Sequence, residues 1–224
     1  MTDRANGDDG TRSAGRFAAW LDDARAAIDE GGATDVPCDG CVACCTSAQF
    51  VHIAPDEADT LAHIPAELLF PAPRMPKGHV LLGYDEHGRC PMLVDDRCSI
   101  YEHRPRTCRT YDCRVFTAAG VEPDDDKPRI AERVRQWRFE LATDADRAAH
   151  DAVRAATAFV AAHRTELPER LAPANRTQLA VLAIRSADLF AANAAPEPTD
   201  VIVELTRRAT GGARPAPPTA SGHG

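Results

Sequence analysis

The chain has 224 residues, a formal net charge of −8 and only 5% aromatic residues. The acidic balance argues against a dedicated nucleic-acid binder, because the binding domain of such a protein is usually basic. No segment approaches the roughly 20 apolar residues that a membrane-spanning helix needs, and residues 1–35 contain no apolar run of signal-peptide length. We therefore expect a cytoplasmic protein that binds neither nucleic acid nor a membrane.

The first part of the chain predicts one long helix. Residues 1–13 are polar and are predicted to be disordered. Residues 14–30 are predicted to form a helix that two glycines end, because apolar side chains recur there every three or four positions. These core-facing side chains are Phe17, Trp20, Leu21, Ala24 and Ile28. A strand at 50–53 and a short helix beginning at Pro55 are expected to follow.

The central part of the chain predicts a β-hairpin. Residues 79–84 and 91–94 are expected to pair as antiparallel strands around an intervening turn. A second turn is expected at 95–96, directly before the next cysteine. The hairpin would hold Cys90 and Cys98 close together.

From residue 128 onward, apolar residues recur every three or four positions, which predicts helices. The first stripe comprises Ile130, Val134, Trp137 and Leu141. Thr143, with Asp146 three residues later, has the spacing of a capping box and predicts the start of a second helix. A third helix is expected from about Asn175, and residues 199–208 are compatible with a short helix or a strand.

All eight cysteines lie between residues 38 and 113. They form a first set, at 38–45, and a second set, at 90–113. Two-residue gaps in the first set allow several thiolates to converge from one tight turn, which core packing does not require. Thiolate sulfur is a soft ligand that selects zinc, copper(I) or iron–sulfur clusters. Cytoplasmic thiols are kept reduced, which favours metal binding over disulfides. The predicted metal ligands are Cys38, Cys41, Cys44, Cys45, Cys90, Cys98, Cys108 and Cys113.

The spacing leaves the arrangement of metals open. A structural zinc ion takes four ligands, so eight thiols could fill two sites, one binuclear site with bridging thiolates, or one site with spare reactive thiols. Adjacent Cys44 and Cys45 point in different directions, so we expect Cys38, Cys41 and one of these two to meet cysteines of the second set. Zinc is favoured over iron–sulfur, because the proline that follows the last cysteine of a bacterial ferredoxin run is missing here.

Other residues near the cysteines are candidates for secondary roles. Five arginines are expected to neutralise the thiolate charge, with a solvated surface as the alternative: Arg97, Arg104, Arg106, Arg109 and Arg114. Four histidines could be ligands, although a surface role is favoured for each: His52, His79, His87 and His103. Asp112 is expected to form hydrogen bonds, and Tyr101 and Tyr111 to pack over the cluster. No catalytic residue is predicted.

Four motifs together resemble the YkgJ-type cysteine-cluster proteins, which are described as zinc- or iron-chelating domains. They are Cys38-x-x-Cys41-x-x-Cys44-Cys45, Gly88-Arg-Cys90-Pro-x-Leu93, Cys98-x-Ile100-Tyr101 and Arg104-Pro105-x-x-Cys108-Arg109-x-Tyr111-x-Cys113. This resemblance covers residues 38–113 and implies metal chelation by the cysteines. A similar cluster in flagellin lysine-N-methylases raises the alternative of an enzyme with redox or methyl-transfer chemistry, although no glycine-rich loop of dinucleotide type is present.

The combined prediction is an α+β, mostly helical protein. Its small, irregular, cysteine-rich metal-binding core carries a short β-hairpin and is flanked by an N-terminal helix and a C-terminal group of about three helices. The predicted organisation is a disordered segment at 1–13, a metal-binding domain with its helix at 14–120, a helical region at 121–208 and a disordered tail at 209–224. The expected function is chelation of zinc, or of iron, in a largely structural role. A further alternative makes the C-terminal helices a docking surface for a protein partner.

Overall fold

The computed structural model describes residues 10–30, 34, 36, 38, 40–191 and 196–210. The helices are α1 (Phe17–Glu30), α2 (Ala58–Ala62), α3 (Arg106–Thr110), α4 (Arg114–Ala119), α5 (Pro128–Gln136), α6 (Asp144–Ala162), α7 (Arg176–Ser186) and α8 (Pro198–Ala209). The strands are β1 (Arg12–Arg16), β2 (Val51–Ile53), β3 (Leu69–Pro71), β4 (Val80–Leu82), β5 (Leu93–Val94), β6 (Arg97–Cys98) and β7 (Trp137–Glu140). The predicted α+β, mostly helical class is confirmed.

The largest core lies among the helices. It contains the predicted stripe of α1 together with residues of α4, α5, α6 and α7. Phe17, Phe116, Val153 and Ile184 are almost completely buried there. The N-terminal helix therefore packs against α6 and α7, which follow it by more than a hundred residues.

A parallel strand pair and one carboxylate join the start of the chain to α6. β1 pairs with β7, with Arg12 opposite Trp137. Asp146 is fully buried and accepts hydrogen bonds from the backbone N–H groups of Thr143 and Ala18. Thr143 in turn accepts from the Asp146 N–H, so the predicted capping box is confirmed.

A second, smaller core lies beneath residues 38–113, which contain all eight cysteines and are called the cysteine segment below. The antiparallel sheet has the strand order β2-β4-β3. Its buried side chains are Val51, Ile53 and Leu82 from the sheet, with Ile64 and Ile100 from the following loops. This core is far smaller than the helical one, and partly buried Cys90 and Cys98 pack against it.

The predicted pairing of residues 79–84 with 91–94 is wrong. β4 lies between β2 and β3, which satisfies both of its edges. The hairpin is formed instead by β5 and β6. Asp95 and Asp96, the two residues between them, both have positive φ. A two-residue turn of this kind matches the twist of paired strands, so it closes the hairpin one turn later than predicted.

The C-terminal helices differ from the prediction in one place and decide between two open alternatives in another. The stripe from Ile130 to Leu141 does not continue as one helix, because Trp137 becomes extended and pairs with β1. The segment at 199–208 is a helix, α8, with Pro198 in its first turn. α8 packs through Val201 and Leu205 against a third small core.

The predicted division of the chain at residue 120 stays a prediction. Residues 1–9 and 211–224, which make up most of the two predicted disordered ends, lie outside the described residues, whereas Arg12 and Ser13 belong to β1. None of the described helices is both long enough and apolar enough to span a bilayer.

Candidate metal centre

The first two cysteines lie at the ends of a tight turn. The backbone N–H of Cys41 donates to the carbonyl of Cys38 at 2.5 Å. Gly40, between them, has a φ of +64°, a left-handed conformation that glycine adopts without steric cost. The C-x-x-C spacing therefore brings both thiols to the same side of a turn.

Cys44 and Cys45 begin a single 3-10 turn, Cys44–Thr46. The hydroxyl of Ser47 donates to the carbonyl of Ala43 at 2.6 Å and fixes the end of this turn. Lys127, which directly precedes α5, donates to the carbonyl of Ser47 at 2.9 Å. The adjacent cysteines are thus held by contacts from both the cysteine segment and the helical part of the chain.

Backbone hydrogen bonds bring Cys90 and Cys98 to Cys45. The N–H of Cys90 donates to the carbonyl of Cys45 at 2.7 Å. Cys98 lies in β6, opposite Leu93, whose own N–H donates to the carbonyl of Cys90 at 3.0 Å. Cys90 and Cys98 are therefore close together, as expected, although the hairpin that joins them differs from the predicted one.

Cys108 lies on the first of two consecutive short helices that the sequence did not predict, and Cys113 directly precedes the second. Cys108 is in α3, which is anchored by the Thr107 hydroxyl donating to the carbonyl of His52 at 2.7 Å. Buried Glu57 accepts from the N–H of Arg106 at the start of the same helix. Cys113 is the residue before α4 and is buried in the helical core.

Interactions among the thiols separate them into two groups. Burial raises the pKa of Cys44, and the thiol that adds most to this increase is Cys113, followed by the adjacent Cys45 and then by Cys38 and Cys41. Burial likewise raises the pKa of Cys113, and Cys38 and Cys41 add to it. The first thiol group is Cys38, Cys41, Cys44 and Cys113.

The second group surrounds Cys45. Burial raises its pKa to about 11, and the thiols that add most are Cys90 and Cys98. Cys108 has its pKa raised to about 12, first by burial and then by Cys45, Cys90 and Cys98. The second thiol group is Cys45, Cys90, Cys98 and Cys108. Cys38 and Cys41 also act on Cys45, so the two groups are neighbours.

The thiols are suitable ligands for a soft metal ion, but their sulfur atoms lie farther apart than in a metal-bound site. All eight cysteines are free thiols. Four thiolates around one zinc ion lie about 3.8 Å apart, given Zn–S bonds of about 2.3 Å in a tetrahedron. Among the described residues, no three thiol sulfurs lie within 4.8 Å of one another. Metal binding would therefore draw each group inward and displace the protons that the raised pKa values retain.

Two N–H donors from outside the cysteine segment contact the first thiol group. Nε of Arg133 donates to Sγ of Cys41 at 3.0 Å. Nε1 of Trp137 donates to Sγ of Cys113 at 3.2 Å. Neither residue was identified as a thiol contact from the sequence. Trp137 fits a stripe of core residues, and Arg133 lies 20 residues beyond the last cysteine. Arg133 lies in α5 and Trp137 directly follows this helix. In the sequence, their spacing of four residues was the feature that could have indicated two side chains on the same face.

The arginines of the cysteine segment behave differently from one another. Arg104 lowers the pKa of Cys38 and of Cys108, although burial outweighs it at both, which agrees with the expected charge-neutralising role. Arg114 is buried and pairs instead with Asp112 at 2.8 Å. Arg106 pairs with Asp56 at 2.7 Å. Arg106 and Arg114 therefore each have a carboxylate partner, and a charge-neutralising role for them at the thiols stays a prediction.

The remaining candidates have partners of their own. Asp112 accepts from Nε1 of Trp20 at 2.8 Å, which confirms its hydrogen-bonding role. Burial, followed by Cys44 and Cys113, raises the pKa of Tyr111, so this tyrosine lies over the first group as expected. Tyr101 is 51% exposed and its ring packs against Arg104, so its packing over the thiols stays a prediction.

The four histidines make contacts outside the two thiol groups. Nε2 of His52 and Nδ1 of His79 are 2.9 Å apart. His87 is exposed beside Glu86. Nδ1 of His103 is 2.8 Å from the carboxylate of Asp59. These contacts agree with the preference for roles other than thiol-site ligands.

The cysteine segment matches a known protein family. The family model described as "CxxCxxCC: Putative zinc- or iron-chelating domain" covers residues 37–133. No curated protein and no solved structure matches the chain. The match continues past the last cysteine as far as Arg133, the residue that donates to Cys41. Over residues 37–133, somewhat less than half of the chain, the protein is thus similar to the CxxCxxCC family of zinc- or iron-chelating domains.

Proposed function

We propose that this protein binds two metal ions, each through four thiolates, and that the ions order its central segment. The first ion would be held by Cys38, Cys41, Cys44 and Cys113, and the second by Cys45, Cys90, Cys98 and Cys108. Zinc is the preferred metal and iron the alternative. Bound metal would supply a cross-link between parts of the chain that are distant in sequence.

The observation that carries this proposal is that the adjacent residues Cys44 and Cys45 have different thiols as their strongest neighbours. Among neighbouring thiols, Cys44 interacts most strongly with Cys113, whereas Cys45 interacts most strongly with Cys90. Neighbouring side chains that face different partners cannot easily complete one mononuclear site. The hydrogen bond from Cys90 to the carbonyl of Cys45 supports the same division, because it holds the second group together through the backbone.

A structural role follows from the small size of the second core. Among the described residues, five form the buried part of that core. Burying one such side chain contributes about 1.5–3 kcal/mol, whereas fixing one residue of backbone costs about 1–2 kcal/mol. Structural zinc contributes about 10–16 kcal/mol. The metal would therefore be a main source of stability for this part of the chain.

The preference for zinc and for the cytoplasm has a common basis. Each group contains four sulfur ligands and no described oxygen ligand, which suits zinc or an iron–sulfur cluster better than magnesium or calcium. All eight cysteines are free, a state that the reducing cytoplasm maintains. A fully ligated zinc site is structural rather than catalytic.

The test is the metal content of paired cysteine variants purified without oxygen. Cys44→Ser and Cys113→Ser should each lose one of two metal ions per chain, and the double variant should also lose only one, because both thiols belong to the same group. Cys44→Ser combined with Cys90→Ser should lose both. Elemental analysis gives the metal-to-chain ratio and identifies the metal.

Ser99→Ala is the matched control, since Ser99 is exposed and adjoins Cys98. It should retain both ions. The proposal of two separate sites is wrong if the Cys44/Cys113 and Cys44/Cys90 double variants lose metal to the same extent. A wild-type chain without zinc or iron would refute metal binding itself.

A further inference from the structure

Three ligand-type side chains meet at a place that the thiol groups do not use. Asp59 and His63 are one turn apart on and just after α2, and His103 ends the 3-10 turn Tyr101–His103. One ligand atom from each lies within 4.8 Å of the other two. Two stretches of chain that are forty residues apart therefore contribute to one cluster.

The two imidazole rings are aligned with each other. The rings of His63 and His103 are stacked, with centroids 3.5 Å apart and planes inclined by 6°. Both Nδ1 atoms face the Asp59 carboxylate, at 2.8 Å for His103 and 3.8 Å for His63. Nδ1 of His63 also contacts the backbone carbonyl of Asp59 at 2.8 Å.

These distances are close to those of a metal site. With bonds of about 2.1 Å, two ligands of one ion lie about 3.0 Å apart at a right angle and about 3.4 Å apart in a tetrahedron. Nδ1 of His103 lies 2.8 Å from one carboxylate oxygen of Asp59, and Nδ1 of His63 lies 3.8 Å from the other oxygen, so the two distances bracket these values. A metal ion lies in the plane of each imidazole that binds it, so the two rings would have to rotate out of their stacked arrangement for both nitrogens and a carboxylate oxygen to reach a common ion.

We propose that Asp59, His63 and His103 form a separate site for a divalent transition metal such as zinc, nickel, cobalt or iron(II). Two imidazoles and one carboxylate favour these ions over magnesium, calcium or copper(I). Binding replaces the hydrogen bonds that the Nδ1 atoms now make, since a nitrogen that ligates a metal carries no proton.

The exposure of the cluster determines what kind of site this is. The side chains of Asp59, His63 and His103 are 72%, 40% and 38% exposed. Three protein ligands at an open surface leave positions for water, as in exchangeable or catalytic sites, whereas each thiol group offers four protein ligands. The surface site therefore binds its ion more weakly and exchanges it faster than the thiol groups do.

The experiment uses the full chain with its thiol-bound metal retained. Zinc is added in micromolar steps under dialysis, and the metal-to-chain ratio is measured together with ¹⁵N shifts of the histidine rings. Wild-type protein should take up one further zinc ion, with shifts at His63 and His103. Asp59→Asn and His103→Ala should lose this uptake and keep the thiol-bound metal.

The matched control is His87→Ala, because His87 is an exposed histidine outside the cluster. It should bind the further zinc as the wild type does. The proposal is overturned if the wild type takes up no further zinc, if the shifts occur at His52 and His79 instead, or if both cluster variants retain the uptake. The thiol-bound metal is counted separately, so failure here is distinct from failure of the thiol sites.

Discussion

At the scale of single residues, the important contacts to sulfur come from outside the cysteine segment. Four thiolates around a divalent ion leave an excess of two negative charges, which nearby N–H donors and cations offset. Arg133 and Trp137 contact Cys41 and Cys113, both in the first thiol group. The negative charge of the first group should therefore be offset more fully than that of the second, and the first group should bind its metal more tightly.

The Arg133→Ala substitution tests this difference. Loss of the hydrogen bond to Cys41 should weaken metal binding by the first group about tenfold or more and leave the second group unchanged. A competition titration with a chelator, in which the two groups release metal at separate midpoints, measures the effect.

Arg135→Ala is the control, since Arg135 lies on the same helix but pairs with exposed Glu122 at 3.0 Å. Equal weakening of both groups by Arg133→Ala, or no weakening at all, would contradict the assigned role.

At the scale of elements, the junction of β1, α1 and α6 depends on one carboxylate. Asp146 accepts hydrogen bonds from Thr143 at the start of α6, from the N–H of Ala18 in α1 and from Arg16 in β1. These donors, with the Thr143 hydroxyl as the largest influence, hold the pKa of Asp146 well below its ordinary value. The ionised form is therefore favoured in the folded protein.

Substitutions in this capping box should destabilise the protein in a pH-dependent way. Thr143→Ala should cost about 1 kcal/mol. Because the pKa of Asp146 is lowered by folding, its contribution is present above its ordinary pKa of about 3.9 and is lost as the pH falls below it. Urea unfolding should therefore show Asp146→Asn to be clearly less stable than the wild type at pH 7, with a smaller difference at pH 3.

The control for Asp146→Asn is Asp144→Asn, because Asp144 lies in the same first turn but is fully exposed. It should change stability much less. An Asp146→Asn effect of the same size at both pH values would show that the ionised carboxylate is not what joins these elements.

At the scale of the whole molecule, two parts of the chain have different sources of stability. The helical core contains many buried side chains from α1 and α4 to α7. The core beneath the cysteines has five buried side chains in the part of the chain that the structure describes. The first thiol group lies at their boundary, since Cys113 belongs to the helical core while Cys38 and Cys41 come from the cysteine segment.

Removal of metal should therefore unfold one part of the molecule and spare the other. After chelation, amide hydrogens in β2 to β6 and α3 should exchange rapidly, while those in α1, α6 and α7 should remain protected. Hydrogen exchange with peptide-level resolution measures both regions in one sample. Restored protection after zinc is added back is the control, and unchanged exchange in β2 to β6 would contradict a structural role.

The sequence by itself determined the features that depend on neighbouring residues. The α1 stripe, the Thr143 and Asp146 capping box and the glycine turn between Cys38 and Cys41 are all local patterns. Their geometry follows from periods and spacings of three or four residues, which the order of amino acids contains directly.

Only the tertiary structure decided which distant segments meet. Trp137 fits a helical stripe, yet it pairs with β1, more than a hundred residues earlier. β4 had a suitable partner nearby and pairs instead with β2 and β3. The different thiol neighbours of Cys44 and Cys45, and the donor from Arg133, likewise depend on long-range packing. Local periodicity contains no information on these pairings, because they are selected by the burial of side chains that the whole chain brings together.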